Sequence, residues 1–263
     1  LIPCAYTTCR KLGQHDKIMT LFHLFLVAAI QGLTEFLPIS SSGHLALMPS
    51  LTGQPDQGLA IDVAAHVGSL MAVIIYFWTD VKTAAGGSLR LMAGKVDTQG
   101  AFLALCLAIA TVPVIIAGLI FKLSGLDDVL RSVSVIGWTM LGFGLVLYWA
   151  DQTGKSDRTS DKWSIRDAAL MGLAQVLSLI PGTSRSGITI SAARRLGYDR
   201  EGSAKLSMLM SIPTIIASGT LLSLEVVNTA NWQVARDGLI AAVFSFLAAL
   251  LALSLMMRLL KSI

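Results

Sequence analysis

Charge is scarce in this chain. Only 14% of its 263 residues are Asp, Glu, Lys or Arg, while 54% are hydrophobic. Soluble domains carry about 25% charged residues, so most of this surface cannot face water. A large soluble helical bundle is excluded on the same ground, because its helices need a charged outer stripe and the long apolar runs here have none. Cysteine is scarce too. Cys4 and Cys9 lie in a polar leader and Cys106 inside an apolar run, which leaves neither a disulfide framework nor a cysteine metal cluster. The net charge of +4 does not point to nucleic acid, since basic residues in a membrane chain first report topology.

What the chain has in abundance is apolar length. The runs 101–121, 134–150, 206–224 and 239–257 are each long enough to cross a hydrocarbon core of about 30 Å, and 61–78 sits near the lower limit. An all-α polytopic membrane protein with about five full spans is expected. Residues 1–18 are polar and aperiodic, with no secretory cleavage pattern, and are expected to be a disordered extension ahead of one membrane-embedded domain at 19–263.

Lys and Arg gather in four places. Lys82, Arg90 and Lys95 form the first group, and Lys155, Arg158, Lys162 and Arg166 the second. Arg194, Arg195, Arg200 and Lys205 form the third, and Arg258 and Lys261 the fourth. Positive-inside reasoning places all four on the cytoplasmic side of the inner membrane. Two spans separate the first and second groups, and two separate the third and fourth. Residues 168–193 must therefore enter and return on one side, and they are broken by Pro181-Gly182-Thr183-Ser184-Arg185-Ser186-Gly187. A re-entrant hairpin follows, because irregular backbone at membrane depth survives only where protein or a wet cavity satisfies it.

The first half has a matching break, Pro38-Ile39-Ser40-Ser41-Ser42-Gly43-His44, and the loop after it lacks Lys and Arg through Gln57. That places the first hairpin's mouth on the opposite face. Gln31 and Gln175 each open a short apolar helix end, followed by a Pro and a Ser-rich turn closed by Gly. The prolines align only with a one-residue gap on either side. Such similarity with opposite orientation is the pattern of an inverted-topology repeat with two re-entrant helical hairpins, here about 19–150 and 165–263. Symmetry asks for three spans per half. The first half has three and the second only two, so a final span is expected to be absent.

Ionisable groups at membrane depth are functional candidates by default. Glu35 lies one turn from Gln31 on the same helix face, and His44 lies just past the first Ser turn. Arg185 sits between Ser184 and Ser186 in the second turn. An Arg fork suits phosphate, hydroxyls and turn amides add neutral donors, and a neighbouring carboxylate suits a divalent cation held by few protein ligands. Asp62 and His66, one turn apart in the next span, read equally well as a structural pair or as site residues.

The strings QGLTEFLPISSSGH (31–44) and PGTSRSG (181–187), with IDVAAHVGSLMAVIIYFW (61–78) between them, resemble the bacterial undecaprenyl-pyrophosphate phosphatases over residues 19–263. The resemblance implies hydrolysis of undecaprenyl diphosphate to the monophosphate and phosphate with a divalent cation, Mg²⁺ or Ca²⁺. It also implies bacitracin resistance and a pocket open to the outer face. By the same resemblance Glu35, Ser41, His44 and Arg185 are catalytic, and Gln31, Ser40, Ser42, Ser184 and Ser186 contact substrate. Gln31 and Glu35 would hold the metal, although Gln31 is the amide variant of a position often occupied by Glu. The expected partners are the polyprenyl diphosphate, membrane lipid and an optional second copy, with no nucleic acid. Either Ser41 or His44 could attack phosphorus. A polyprenyl-phosphate flippase is the rival reading, since inverted repeats with broken helices also build transporters.

Overall fold

The computed structural model describes residues 20–53, 56–124, 132–226 and 232–262; the polar leader falls outside them. The described residues form ten α-helices and no strand, only an isolated bridge between Arg158 and Tyr198. In order they are α1 (Leu21–Phe36), α2 (Ser41–Thr52), α3 (Leu59–Tyr76), α4 (Trp78–Met92) and α5 (Gln99–Ser124). Then come α6 (Val133–Thr153), α7 (Ile165–Val176), α8 (Arg185–Arg195), α9 (Arg200–Val226) and α10 (Trp232–Ser262). Five of them, α3, α5, α6, α9 and α10, are long and apolar enough to cross a membrane, as the apolar runs predict. Helix α4 is an addition. The sequence around Lys82 and Arg90 carries no long apolar run, yet it folds back on α5 so tightly that a Cβ on Gly87 would lie 2.0 Å from the Gly100 carbonyl carbon.

Burial is arranged for lipid rather than water. On α10, Leu247, Leu251, Leu255 and Leu259 point outward, whereas Ala241, Ser245, Ala249 and Leu253 are buried. In hydrocarbon a Leu gains nothing by hiding, so small residues that let backbones approach take the inside. Gly68 of α3 shows this directly: a Cβ there would meet the Ala242 carbonyl oxygen at 2.1 Å. Ser245 Oγ ties the same crossing by donating to the Ala65 carbonyl at 2.7 Å. The chain is a multi-pass membrane protein whose apolar helices contact lipid.

All four basic groups meet at one end of the bundle. Lys205 pairs with Asp80 at 2.8 Å, Lys261 with Glu201 at 3.5 Å, and Arg200 with Asp151 at 2.8 Å. Arg158 donates to Asp167 at 2.5 Å and to the Leu196 carbonyl at 3.1 Å. Tyr198 donates to the same carboxylate at 2.7 Å, and burial together with that bond raises its phenol above the ordinary range, so it remains a donor. This clasp joins the start of α7 to the end of α8. The second hairpin therefore leaves and returns at the basic end, as the crossing count requires.

The first hairpin opens at the other end. Leu24 and Val27 of α1 pack with Leu45 and Met48 of α2, Ile61 at the start of α3 and Ala241 early in α10. Phe36, at the inner end of α1, lies in a deeper cluster with Ala72, Ala204, Ala249 and Leu253. The two halves exchange partners. Helix α1 lies on α10, where a Cβ on Gly32 would be 2.5 Å from the Ser245 carbonyl oxygen. Helix α7 lies on α5, where a Cβ on Gly172 would be 2.6 Å from that of Ala110. Each hairpin thus rests on the second span of the other half, which is what a two-fold axis in the membrane plane produces.

Candidate active site

The repeat is tighter than the prolines suggest. The offset that carries Gln31 to Gln175 also carries Ser40 to Ser184, so no gap is needed, and only the prolines stand one position out of register. Ser40 and Ser184 are N-caps, accepting from the amides of Gly43 and Gly187 at 3.1 Å each. In the next position Ser41 opens α2 and Arg185 opens α8. One duplicated cap thus presents a hydroxyl in one copy and a guanidinium in the other.

Both reach the same carboxylate. Ser41 Oγ donates to Glu35 Oε2 at 2.8 Å, and Arg185 Nη2 forms an ion pair with Glu35 Oε1. Gln31 Nε2 donates to Oε2 at 2.8 Å. Glu35 is buried, three donors (Ser41, Gln31 and Arg185) engage it, and His66 Nε2 lies 3.8 Å from Oε2. Burying a carboxylate is costly unless it is paired and hydrogen-bonded, and here both conditions hold. The tips also touch through backbone: Ser186 Oγ donates to the Leu37 carbonyl at 2.9 Å.

The remaining expected residues lie around this centre. Ser40 and Ser42 are 3.3 Å apart through their hydroxyls, and Ser184 and Ser186 are 3.0 Å apart. His44 stands on the first turn of α2 with Nδ1 2.6 Å from the Ser40 carbonyl oxygen. That nitrogen must carry the proton, which leaves Nε2 as the basic atom. His66 has a sharper role than its spacing from Asp62 suggested: its Nδ1 is held by the Asp62 backbone carbonyl at 2.8 Å, not by the Asp62 carboxylate. Asp62 accepts instead from Gln57 at 2.8 Å. Thr139 of α6 escaped sequence reading entirely. Its hydroxyl donates to the Pro181 carbonyl at 2.6 Å and pins the second tip where Gly182, at a positive φ of 91°, makes the turn.

Two spaces adjoin the tips. A small cavity is lined by Ser40, Met140, Gly182, Ser184 and Gly187. A larger apolar groove of about 540 Å³ starts at Pro38 and runs between α6, α8 and α10 toward Asp151 and Arg200 at the basic end. For a cation, the donor set is small. Among the described residues no three His, Cys, Asp or Glu side chains form a cluster. Beside Glu35, however, the buried Gln31 Oε1 has no hydrogen-bond partner. An orphaned carbonyl oxygen costs about 1–3 kcal/mol, and next to a carboxylate it suits a hard divalent ion with few protein ligands.

The family model for bacitracin resistance protein BacA matches residues 24–263. A Roseobacter denitrificans protein named undecaprenyl-diphosphatase is 77% identical over 245 residues, covering 93% of this chain and 92% of its own length. A protein of the same name from Jannaschia sp. is 66% identical over the same shares of both chains, and one from Maricaulis maris is 46% identical over 248 residues.

Proposed function

The chain belongs to the bacitracin resistance protein BacA family, and from that premise we propose how its two hairpin tips perform the family's chemistry. The chain is a phosphatase, a hydrolase that converts undecaprenyl diphosphate to undecaprenyl phosphate and inorganic phosphate. The observation that supports this site is the convergence of Ser41 and Arg185, equivalent positions of the two repeats, on Glu35.

Arg185 holds the terminal phosphoryl group, assisted by the hydroxyls of Ser40, Ser42, Ser184 and Ser186 and by the facing amino ends of α2 and α8. Ser41 is the nucleophile. Its proton already points at Glu35 Oε2, the nucleophile–base contact that activates a hydroxyl. As the Ser41 Oγ–phosphorus bond forms, that proton passes to Glu35, the bridging P–O bond breaks, and undecaprenyl phosphate leaves. Water then attacks the phosphoserine with His44 Nε2 as base. The Ser–O–P bond breaks, Ser41 regains its proton from Glu35, and inorganic phosphate departs. Gln31 and Glu35 would hold a divalent cation, Mg²⁺ or Ca²⁺, which supplies charge neutralisation at the phosphate oxygens. The apolar groove that begins at Pro38 suits the polyprenyl chain. We place the head-group site on the outer side of the inner membrane, as the resemblance of the two motifs implies.

The test is phosphate release from a C55 or C15 diphosphate by the purified protein in detergent, with Ser41→Ala, Glu35→Gln, His44→Ala and Arg185→Lys alongside. A flippase would need none of this hydrolytic machinery. Binding and translocation of lipid phosphate without phosphate release would establish that rival and overturn the hydrolase.

A further inference from the structure

His66 lies outside both Ser-rich motifs, on α3, yet its imidazole faces the centre of the site. Its Nδ1 is 2.8 Å from the Asp62 carbonyl oxygen. A carbonyl only accepts, so Nδ1 donates to it, and Nε2 faces Glu35 Oε2, 3.8 Å away. Either a proton on Nε2 or a cation between the two atoms makes that approach favourable. The spacing narrows the choice. It exceeds a direct hydrogen bond, which ends at about 3.2 Å. It falls short of the roughly 4.5 Å that one bridging water spans at a tetrahedral angle with two bonds of about 2.8 Å. Two metal–ligand bonds of about 2.1 Å span it when they meet at about 130°. The buried Gln31 Oε1, also without a partner, belongs to the same cluster through the Gln31–Glu35 bond.

We propose that His66 is a third ligand of the divalent cation, joining Glu35 and Gln31 from the neighbouring span and giving an otherwise all-oxygen site one nitrogen. This rests on the cation reading above and deepens it. The Asp62 carbonyl then acts as the outer partner that fixes the tautomer and aims the ring, a usual arrangement for a ligating histidine. One imidazole in place of an oxygen moves preference from Ca²⁺ toward Mn²⁺, Co²⁺ and Zn²⁺.

Mn²⁺ alone is the probe. Chelator-stripped protein in detergent is titrated with Mn²⁺ by electron paramagnetic resonance, and ¹⁴N modulation is recorded from the bound ion. The wild type should bind one Mn²⁺ with a directly bonded nitrogen. His66→Gln should still bind it, at least tenfold more weakly and without that nitrogen signal, and should lose its preference for Mn²⁺ over Ca²⁺. His44→Gln should retain the signal. Bound Mn²⁺ without nitrogen coupling in the wild type, or coupling that survives His66→Gln, overturns the role of His66 and leaves the cation in place. If the wild type binds no Mn²⁺, Mg²⁺ or Ca²⁺, the cation reading itself falls.

Discussion

Replacing Arg185 by Lys keeps the charge and removes the fork, so it separates phosphate recognition from simple neutralisation of Glu35. The side chain is 15% exposed and its Nη2 is engaged by Glu35 Oε1, so a lysine ammonium of shorter reach still finds that carboxylate. What it cannot do is present a planar fork of parallel N–H groups to the phosphoryl oxygens. One charge-assisted hydrogen bond is worth about 1.5–3 kcal/mol. At about 1.36 kcal/mol per tenfold, kcat/KM should fall roughly 10- to 150-fold, while thermal unfolding in detergent moves little. Arg185→Ala differs in kind. It leaves a buried carboxylate without its cation, which costs about 3–5 kcal/mol, so that variant should lose stability along with activity. Phosphate release from a C15 diphosphate, read beside a thermal melt of each preparation, distinguishes the two. Arg185→Lys turning over within twofold of wild type refutes the clamp and leaves Arg185 as a structural counter-ion.

Three further outcomes follow from the same geometry. EDTA should abolish turnover and excess Mg²⁺ or Ca²⁺ restore it; metal-independent hydrolysis would leave Glu35 as base alone. Ser41→Ala should abolish the acid-stable phosphoserine that rapid quenching traps, whereas His44→Ala should accumulate it, and a phosphoenzyme that persists without Ser41 would point to another nucleophile. Asp167→Asn removes the charge that binds Arg158 and weakens the bonds from Tyr198 and Ser164. It should lower stability by about 1–3 kcal/mol with activity per folded molecule retained, and a melt equal to wild type would show the clasp to be idle.

Much of this was legible because membrane physics restricts the options. The five spans follow from apolar length, and the second hairpin from counting crossings between basic groups that now meet through Lys205–Asp80, Lys261–Glu201 and Arg158–Asp167. The residues that carry the centre, Glu35, Gln31, Ser41 and Arg185, were each conspicuous as polar groups at a helix break. What stayed hidden was contact between distant segments. Thr139 is one polar residue in an apolar span, and nothing local indicates that Pro181 sits against it. Helix α4 escaped because it is held by the close approach of Gly87 to Gly100, not by apolar length. His66 was visible as a histidine within a span, yet its partner had to be guessed. Helical spacing allowed Asp62 and His66 equally as a structural pair or as site residues, whereas the fold supplies the Asp62 carbonyl on one side and Glu35 on the other.

Helices α2 and α8 begin face to face at the tips, and each amino end carries about half a positive charge. Together with Arg185 they form a cationic node, and Glu35 is its resident anion. Phosphate arriving there therefore enters by exchange: the guanidinium turns from one oxyanion toward another, and the local sum of charge changes less than it would in a vacant hole. Affinity is then set by a difference between two oxyanions instead of by the full attraction of either. A node built this way releases product readily, because the carboxylate waiting at its edge competes for the arginine as soon as the phosphate loosens.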